Sequence, residues 1–149
     1  MSAEAAAERW LGLMDETVAE AFATMLGIEC VPACATAASP RNTAAHVRFY
    51  GALDGECILL FAAVDAEKLT RMLLGEAPDD AMIGDAVGEL CNVLAGGWKR
   101  RLRPPASGAN LSVPTVKRGE LDPPDDVRGY QFNDAQFAVG LTVVAIAED

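Results

Sequence analysis

The sequence predicts a single α/β domain with α+β-like layering, two long helices packed on a six-stranded, mostly antiparallel sheet. Three observations carry that prediction: two long Pro-free stretches with helical periodicity, several short apolar runs bounded by turn residues, and a repeated order of one helix followed by three strands. At 149 residues one hydrophobic core suffices, and residues 1–149 are read as one domain.

The first helix is expected over Ala3–Leu26, where Trp10, Leu13, Met14, Val18, Phe22, Met25 and Leu26 form an apolar stripe. Gly27 is its natural stop. Residues 28–35 alternate weakly and hold Pro32, which suits an edge or irregular strand. Residues 45–53 and 56–63 flank Asp54-Gly55, a hairpin signal. Asp65 is placed to cap a short helix that Gly75 ends near Leu74, and residues 77–80 read as a turn.

Residues 81–102 then form the second long helix. Ile83, Val87, Leu90, Cys91, Leu94 and Trp98 line one side, and Pro104-Pro105 terminates it. Strands follow at 111–116, 130–132 and 136–146, with a Pro123-Pro124 loop before the second and a turn at Asn133-Asp134-Ala135 before the third.

The order α-β-β-β-α-α-β-β-β contains an internal repeat that the letters support. Glu20-Ala21-Phe22-Ala23 with Gly27 matches Glu89-Leu90-Cys91-Asn92 with Gly96, and each helix leads to a Val-Pro strand, Val31-Pro32 and Val113-Pro114. Two related halves, hence a pseudo-two-fold, are expected.

Composition excludes several classes of function. The net charge of −10 argues against non-specific nucleic-acid binding, which needs a dominant basic surface. The basic run Lys99-Arg100-Arg101 with Arg103 closes a helix and reads as a solvated terminus that complements the helix dipole. No basic patch and apolar run open the sequence, and the longest apolar run, 58–64, is too short to span a bilayer; no membrane association and a cytoplasmic location are expected. Cys30, Cys34, Cys57 and Cys91 form no CxxC pair and read as buried reduced thiols. With His46 the only histidine, no bound metal is expected.

Asp85, Glu89 and Asn92 stand at i, i+4 and i+7 on the second long helix, which puts all three on one strip away from the apolar stripe. Asp85 and Glu89 are like charges four apart, and Asn is a modest helix former, so local stability does not ask for this combination. On helix physics alone, an ordinary solvated face remains open as the explanation.

The setting of the strip is more specific. The run from Gly84 to Lys99, with Glu89-x-x-Asn92, Gly96 and Lys99, followed by Pro114-Thr115-Val116 and Gly119, resembles the CheX branch of the CheC, CheX and FliY phosphatase family. The likeness extends over nearly the whole chain, including the first helix and the Met72-Leu73-Leu74-Gly75 helix end.

The resemblance implies hydrolysis of the aspartyl phosphate of a phosphorylated CheY-like response regulator. It implies no cofactor bound by this chain, the Mg2+ ion being held by the regulator. It implies further that Asn92 orients the attacking water and that Glu89 pairs with the regulator's lysine, with Asp85 extending that contact. An amide fits its task, since it offers both a donor and an acceptor and carries no charge to repel the dianion. The first helix has Ala23 where an active helix would carry Asn, so one site per chain is expected. In this respect the chain is similar to CheX, which implies a homodimer joined through the sheet, and an exposed sheet edge invites strand-to-strand pairing between identical chains.

Two other classes compete. A catalytically silent module of the same fold would use this helix face only to bind a response regulator or a flagellar-switch partner; the intact Glu89 and Asn92 favour the enzyme. A small-molecule enzyme is disfavoured, because the sequence lacks a P-loop, a GxGxxG, a GxSxG and a histidine near an acidic pair.

Overall fold

The computed structural model describes residues 2–34, 42–119 and 127–149. Helix α1 spans Ala3–Leu26; the Ser2 side chain accepts the Ala5 N–H at its start, and Gly27 ends it at φ 65°. The short helix α2, Ala63–Leu74, ends at Gly75 as the sequence predicts. Its N-cap is Ala62, which makes no side-chain bond, so Asp65 sits inside the first turn and does not cap it. Helix α3, Asp80–Arg100, is capped by Asp79, whose Oδ1 accepts the Met82 N–H at 2.8 Å.

The strands are β1 (Val31–Pro32), β2 (Thr43–Tyr50), β3 (Leu53–Phe61), β4 (Asn110–Leu111), β5 (Thr115–Arg118), β6 (Arg128–Phe132) and β7 (Ala135–Ile146), and every pairing is antiparallel. They lie in the order β1-β6-β7-β3-β2, with β4 and β5 both on the outer edge of β2. Reading this order backwards exchanges the halves: β3 with β7, β2 with β6, and β1 with the β4–β5 edge. The pseudo-two-fold thus runs through the central β3–β7 pair, and each half lends its first strand to the other.

Among the described residues the strand count is seven where six were predicted, because the run read as one strand at 111–116 is broken. Leu111 pairs with Phe49 and Thr115 with His46, so three residues on the edge face two on β2. This is a bulge, and Pro114, which has no N–H for the ladder, lies inside it. The expected edge strand at 28–35 narrows to the two residues of β1, and Ala35 lies outside the described residues, as does the Pro123-Pro124 loop.

The predicted Asp54-Gly55 turn is also displaced. The chain reverses at Gly51, which holds φ 95°, and Asp54 and Gly55 lie within β3, paired with β7. Glycine is needed at 55 for space. A Cβ there would stand 2.1 Å from the Thr142 carbonyl oxygen, beside the point where the β3–β7 register shifts. The second hairpin turns at Asn133-Asp134, with Asn133 at φ 50°.

The helices cover one sheet face. Met14, Val18 and Phe22 of α1, Leu69 of α2 and Val87, Leu90, Leu94 and Trp98 of α3 share one core with inward residues of β2, β3, β6 and β7. Phe137 stacks at 5.2 Å on Phe61, 5.4 Å on Tyr130 and 5.6 Å on Phe22, joining both halves. Cys30, Cys57 and Cys91 are buried, whereas Cys34 is exposed, contrary to its reading as a buried thiol. Burial pushes the Cys30 thiol up to about 12.

Polar ties hold the periphery. Arg128 and Tyr130 of β6 both donate to Asp15 of α1 at 2.7 Å. Arg9 grips Glu148 with two bonds of 2.7 and 2.8 Å, and Glu148 also accepts the Arg103 N–H.

Two outcomes follow. Gly55→Ala should lower the unfolding free energy by about 3 kcal/mol, since the added methyl meets immovable backbone; urea denaturation reads this directly. The Arg9 guanidinium, chiefly by hydrogen bonding, holds the Glu148 carboxyl below its ordinary range. The unfolded chain therefore binds more protons, and this stabilisation is complete above the unfolded pKa and lost as pH falls through the folded one. Glu148→Gln should accordingly flatten the acid limb of a stability–pH curve.

Candidate functional site on helix α3

The rotation of α3 about its axis is set by what its buried residues touch. Ile83, Val87, Leu90, Cys91, Leu94 and Trp98 point into the core. The Trp98 indole donates to the Trp10 carbonyl at 2.9 Å, and the Cys91 thiol lies 3.5 Å from the Ala45 carbonyl. Glycines allow close approach on both flanks. A Cβ at Gly97 would lie 2.8 Å from Thr17 of α1, and one at Gly88 would lie 3.2 Å from Val116 and 3.6 Å from Pro114.

Both ends are pinned as well. Arg118 of β5 bridges Asp80 at 3.2 Å, and Lys99 donates to the Ser107 carbonyl at 2.7 Å. Arg101 donates to the Gly97 carbonyl and pairs with Glu20 of α1. Two members of the basic run, Lys99 and Arg101, thus also hold the helix end in place. Arg100 and Arg103 are exposed, and the Arg100 guanidinium folds back over Gly96.

With α3 so fixed, Asp85, Glu89 and Asn92 face outward. Asp85 and Glu89 are exposed and Asn92 is half-buried. None of the three has a hydrogen bond or ion pair among the described residues. The half-burial has a local cause. Asn92 shares an i, i+4 row with Gly88 and Gly96, which abut Pro114 and Leu111 respectively, so it sits beside the bulge between those residues.

The bulge was missed by the sequence reading. Arg48 of β2 donates its N–H to Ser112 Oγ at 2.9 Å and accepts the Ser112 N–H at 2.8 Å. Val113 beside them is 82% exposed, the most exposed large apolar side chain among the described residues. The Val113-Pro114 dipeptide, matched to Val31-Pro32 by the repeat, was the available signal.

The matching face of α1 is occupied differently. Glu20, the counterpart of Glu89, is held by Arg101, and Ala23 replaces the amide. Among the described residues, no group of three or more His, Cys, Asp and Glu side chains gathers to hold a metal, and no helix is long and apolar enough to cross a membrane.

Chemically, the strip offers a neutral amide in a shallow recess and two carboxylates beside it, all available to an incoming surface. Such a set can orient a water and pair with a cation. It carries no hydroxyl or thiol.

Comparison with known proteins places this geometry. Solved structures share the fold: chemotaxis protein CheX from Vibrio vulnificus has a TM-score of 0.73 at 18% identity, covering 90% of this chain and 95% of that one. A chemotaxis protein from Desulfovibrio vulgaris Hildenborough has a TM-score of 0.73 at 19% identity, covering 91% and 96%. The CheX of a CheX–CheY–BeF3–Mg2+ complex from Borrelia burgdorferi has a TM-score of 0.70 at 17% identity, covering 90% and 97%. Comparison with curated proteins finds no match. The family model of the chemotaxis phosphatase CheX matches residues 43–129, more than half of the sequence and including all of α3. The chain belongs to the CheX family.

Proposed function

We propose that this protein hydrolyses the aspartyl phosphate of a CheY-like response regulator, with Asn92 orienting the attacking water and Glu89 pairing with a lysine of the regulator. The carrying observation is that Glu89 and Asn92, three residues apart on a rigidly held helix, present polar groups with no partner among the described residues. A CheX of this fold has been solved with CheY, BeF3 and Mg2+, which supports a regulator as partner.

Phosphoryl transfer asks little covalent chemistry of the protein; it asks for an in-line water and a favourable field. The Asn92 carbonyl can accept from the water while its NH2 approaches a phosphoryl oxygen. Fixing the water beforehand removes orientational cost from the transition state. Glu89 would fix the register of the docked surfaces through a charge-assisted bond, with Asp85 adding attraction one turn away. The Mg2+ ion would belong to the regulator, and the reaction would take place in the cytoplasm.

Loss of regulator phosphate over time tests this. Asn92→Ala should reduce the stimulated rate roughly 100-fold while leaving affinity for the phosphorylated regulator nearly intact. Glu89→Ala should weaken affinity about tenfold, equivalent to about 1.4 kcal/mol. Wild-type turnover by Asn92→Ala would reject the assignment. Unchanged turnover with tight regulator binding would favour the silent module.

We further propose a two-fold homodimer through the sheet. Strand-to-strand pairing has poor templates here, since β1 is two residues long with Pro32 and the β4–β5 edge is interrupted. The exposed Tyr50 and Val144, at one end of the sheet, are apolar surface such a contact would cover. Light scattering at micromolar concentration should give twice the 15.7 kDa chain mass. A monomer would overturn the dimer and leave the chemistry standing.

A further inference from the structure

We infer that the bulge at Ser112-Val113-Pro114 is the second wall of the regulator-docking site, and that Val113 is the apolar contact that seats the regulator over Asn92. This rests on the phosphatase reading of α3 and adds to it a surface that lies outside the helix.

The argument begins with access. Asn92 is half-buried because the row that carries it runs against the edge strand: Gly88 abuts Val116 and Pro114, and Gly96 abuts Leu111. Asn92 thus stands between Glu89 on its own helix and the bulge on the edge strand. A partner that brings a phosphoryl group to that amide must therefore lie across both walls, α3 on one side and residues 112–114 on the other.

The second wall is built to present a side chain. The extra residue in the edge strand breaks the ladder between Leu111 and Thr115, and the two bonds between Ser112 and Arg48 recover the pairing that the break would lose. The bulge is thus pinned rather than loose, and Pro114 stiffens its far side. Bulges re-aim side chains in this way, and they are enriched next to active sites. Here the side chain carried on the bulge is Val113, 82% exposed among the described residues.

A lone exposed valine is ordinary on a protein surface. Its position makes the difference, on a pinned bulge beside the one neutral polar group of the strip. Apolar contact next to a charge-assisted pair is the usual composition of a small, specific interface, the first supplying affinity and the second register. The partner face that fits has an apolar depression adjoining the phosphorylated aspartate, with a cation placed to meet Glu89.

Val113→Asp tests this against a CheY-like regulator carrying beryllofluoride in place of phosphoryl, with Glu89→Ala and Asn92→Ala measured alongside. The expected result is a rise in Kd of about tenfold or more for Val113→Asp, and, with the phosphorylated regulator as substrate, a turnover defect confined to KM, while Val113→Ile binds like the wild type. Thermal unfolding should be unchanged, because the side chain lies outside the core; should the aspartate disturb folding, the near-isosteric Val113→Thr replaces it. Wild-type affinity for Val113→Asp together with weakened binding by Glu89→Ala would overturn the second wall and leave the phosphatase reading intact. Wild-type behaviour of both Glu89→Ala and Asn92→Ala would overturn that reading, and this inference with it.

Discussion

The glycine-mediated approach of α3 to its two neighbours is the constraint on which the rest of the site depends. Gly97 lets α1 come so near that a Cβ would stand 2.8 Å from Thr17, and Gly88 gives a tight approach to the edge strand on the other flank, where a Cβ would stand 3.2 Å from Val116. A helix seated by its core stripe alone retains some freedom to roll. One whose backbone lies close under neighbouring side chains on both flanks has less of that freedom, and its outward strip is held in direction without a hydrogen bond to the functional side chains among the described residues. Asn92 and Glu89 can therefore remain unpaired and still be well placed.

That arrangement resolves a conflict common to functional helices. Polar groups that must meet a partner cannot be held by internal partners, yet a catalytic amide needs to be positioned closely. Here the rigidity is supplied from beneath and from the ends. Trp98 ties α3 to α1, Arg118 ties its first turn to β5, and Lys99 ties its last turn to the segment that follows. The side chains that do the holding are the ones whose chemistry the proposed reaction does not use.

How much of this was legible follows from which forces are local. The long helices, their Gly27 and Gly75 ends and the inward stripe of α3 could be read, because periodicity and capping are properties of neighbouring residues. The Asn133-Asp134 hairpin could be read for the same reason. Asp54-Gly55 misled because glycine has two uses, and here the close passage of the Thr142 carbonyl across the sheet required the missing side chain, while Gly51 supplied the turn. Such a contact, 87 residues distant in sequence, leaves no local trace. The bulge was hidden likewise, since Leu111 to Val116 looks continuous until its partner strand is known. The strip of Asp85, Glu89 and Asn92 was visible as spacing, but the recess that half-buries Asn92 depends on that unseen bulge.

The two halves show how one scaffold separates holding from acting. Their topologies mirror each other about the β3–β7 pair, and Glu20 on α1 corresponds to Glu89 on α3. On α1 the carboxylate is spent inside the molecule, paired with Arg101 at the end of α3, and Ala23 stands where the amide would be. The duplicated position has become a brace for the other helix. Replacing Ala23 with Asn would restore the letters of the motif without restoring a site, because the Glu20 carboxylate would still be engaged. Release of Glu20 would in turn leave Arg101 without its acidic partner at the C-terminal end of the very helix that carries Asn92. The asymmetry between the halves thus lies in one carboxylate that braces the neighbouring helix and one that is left facing outward.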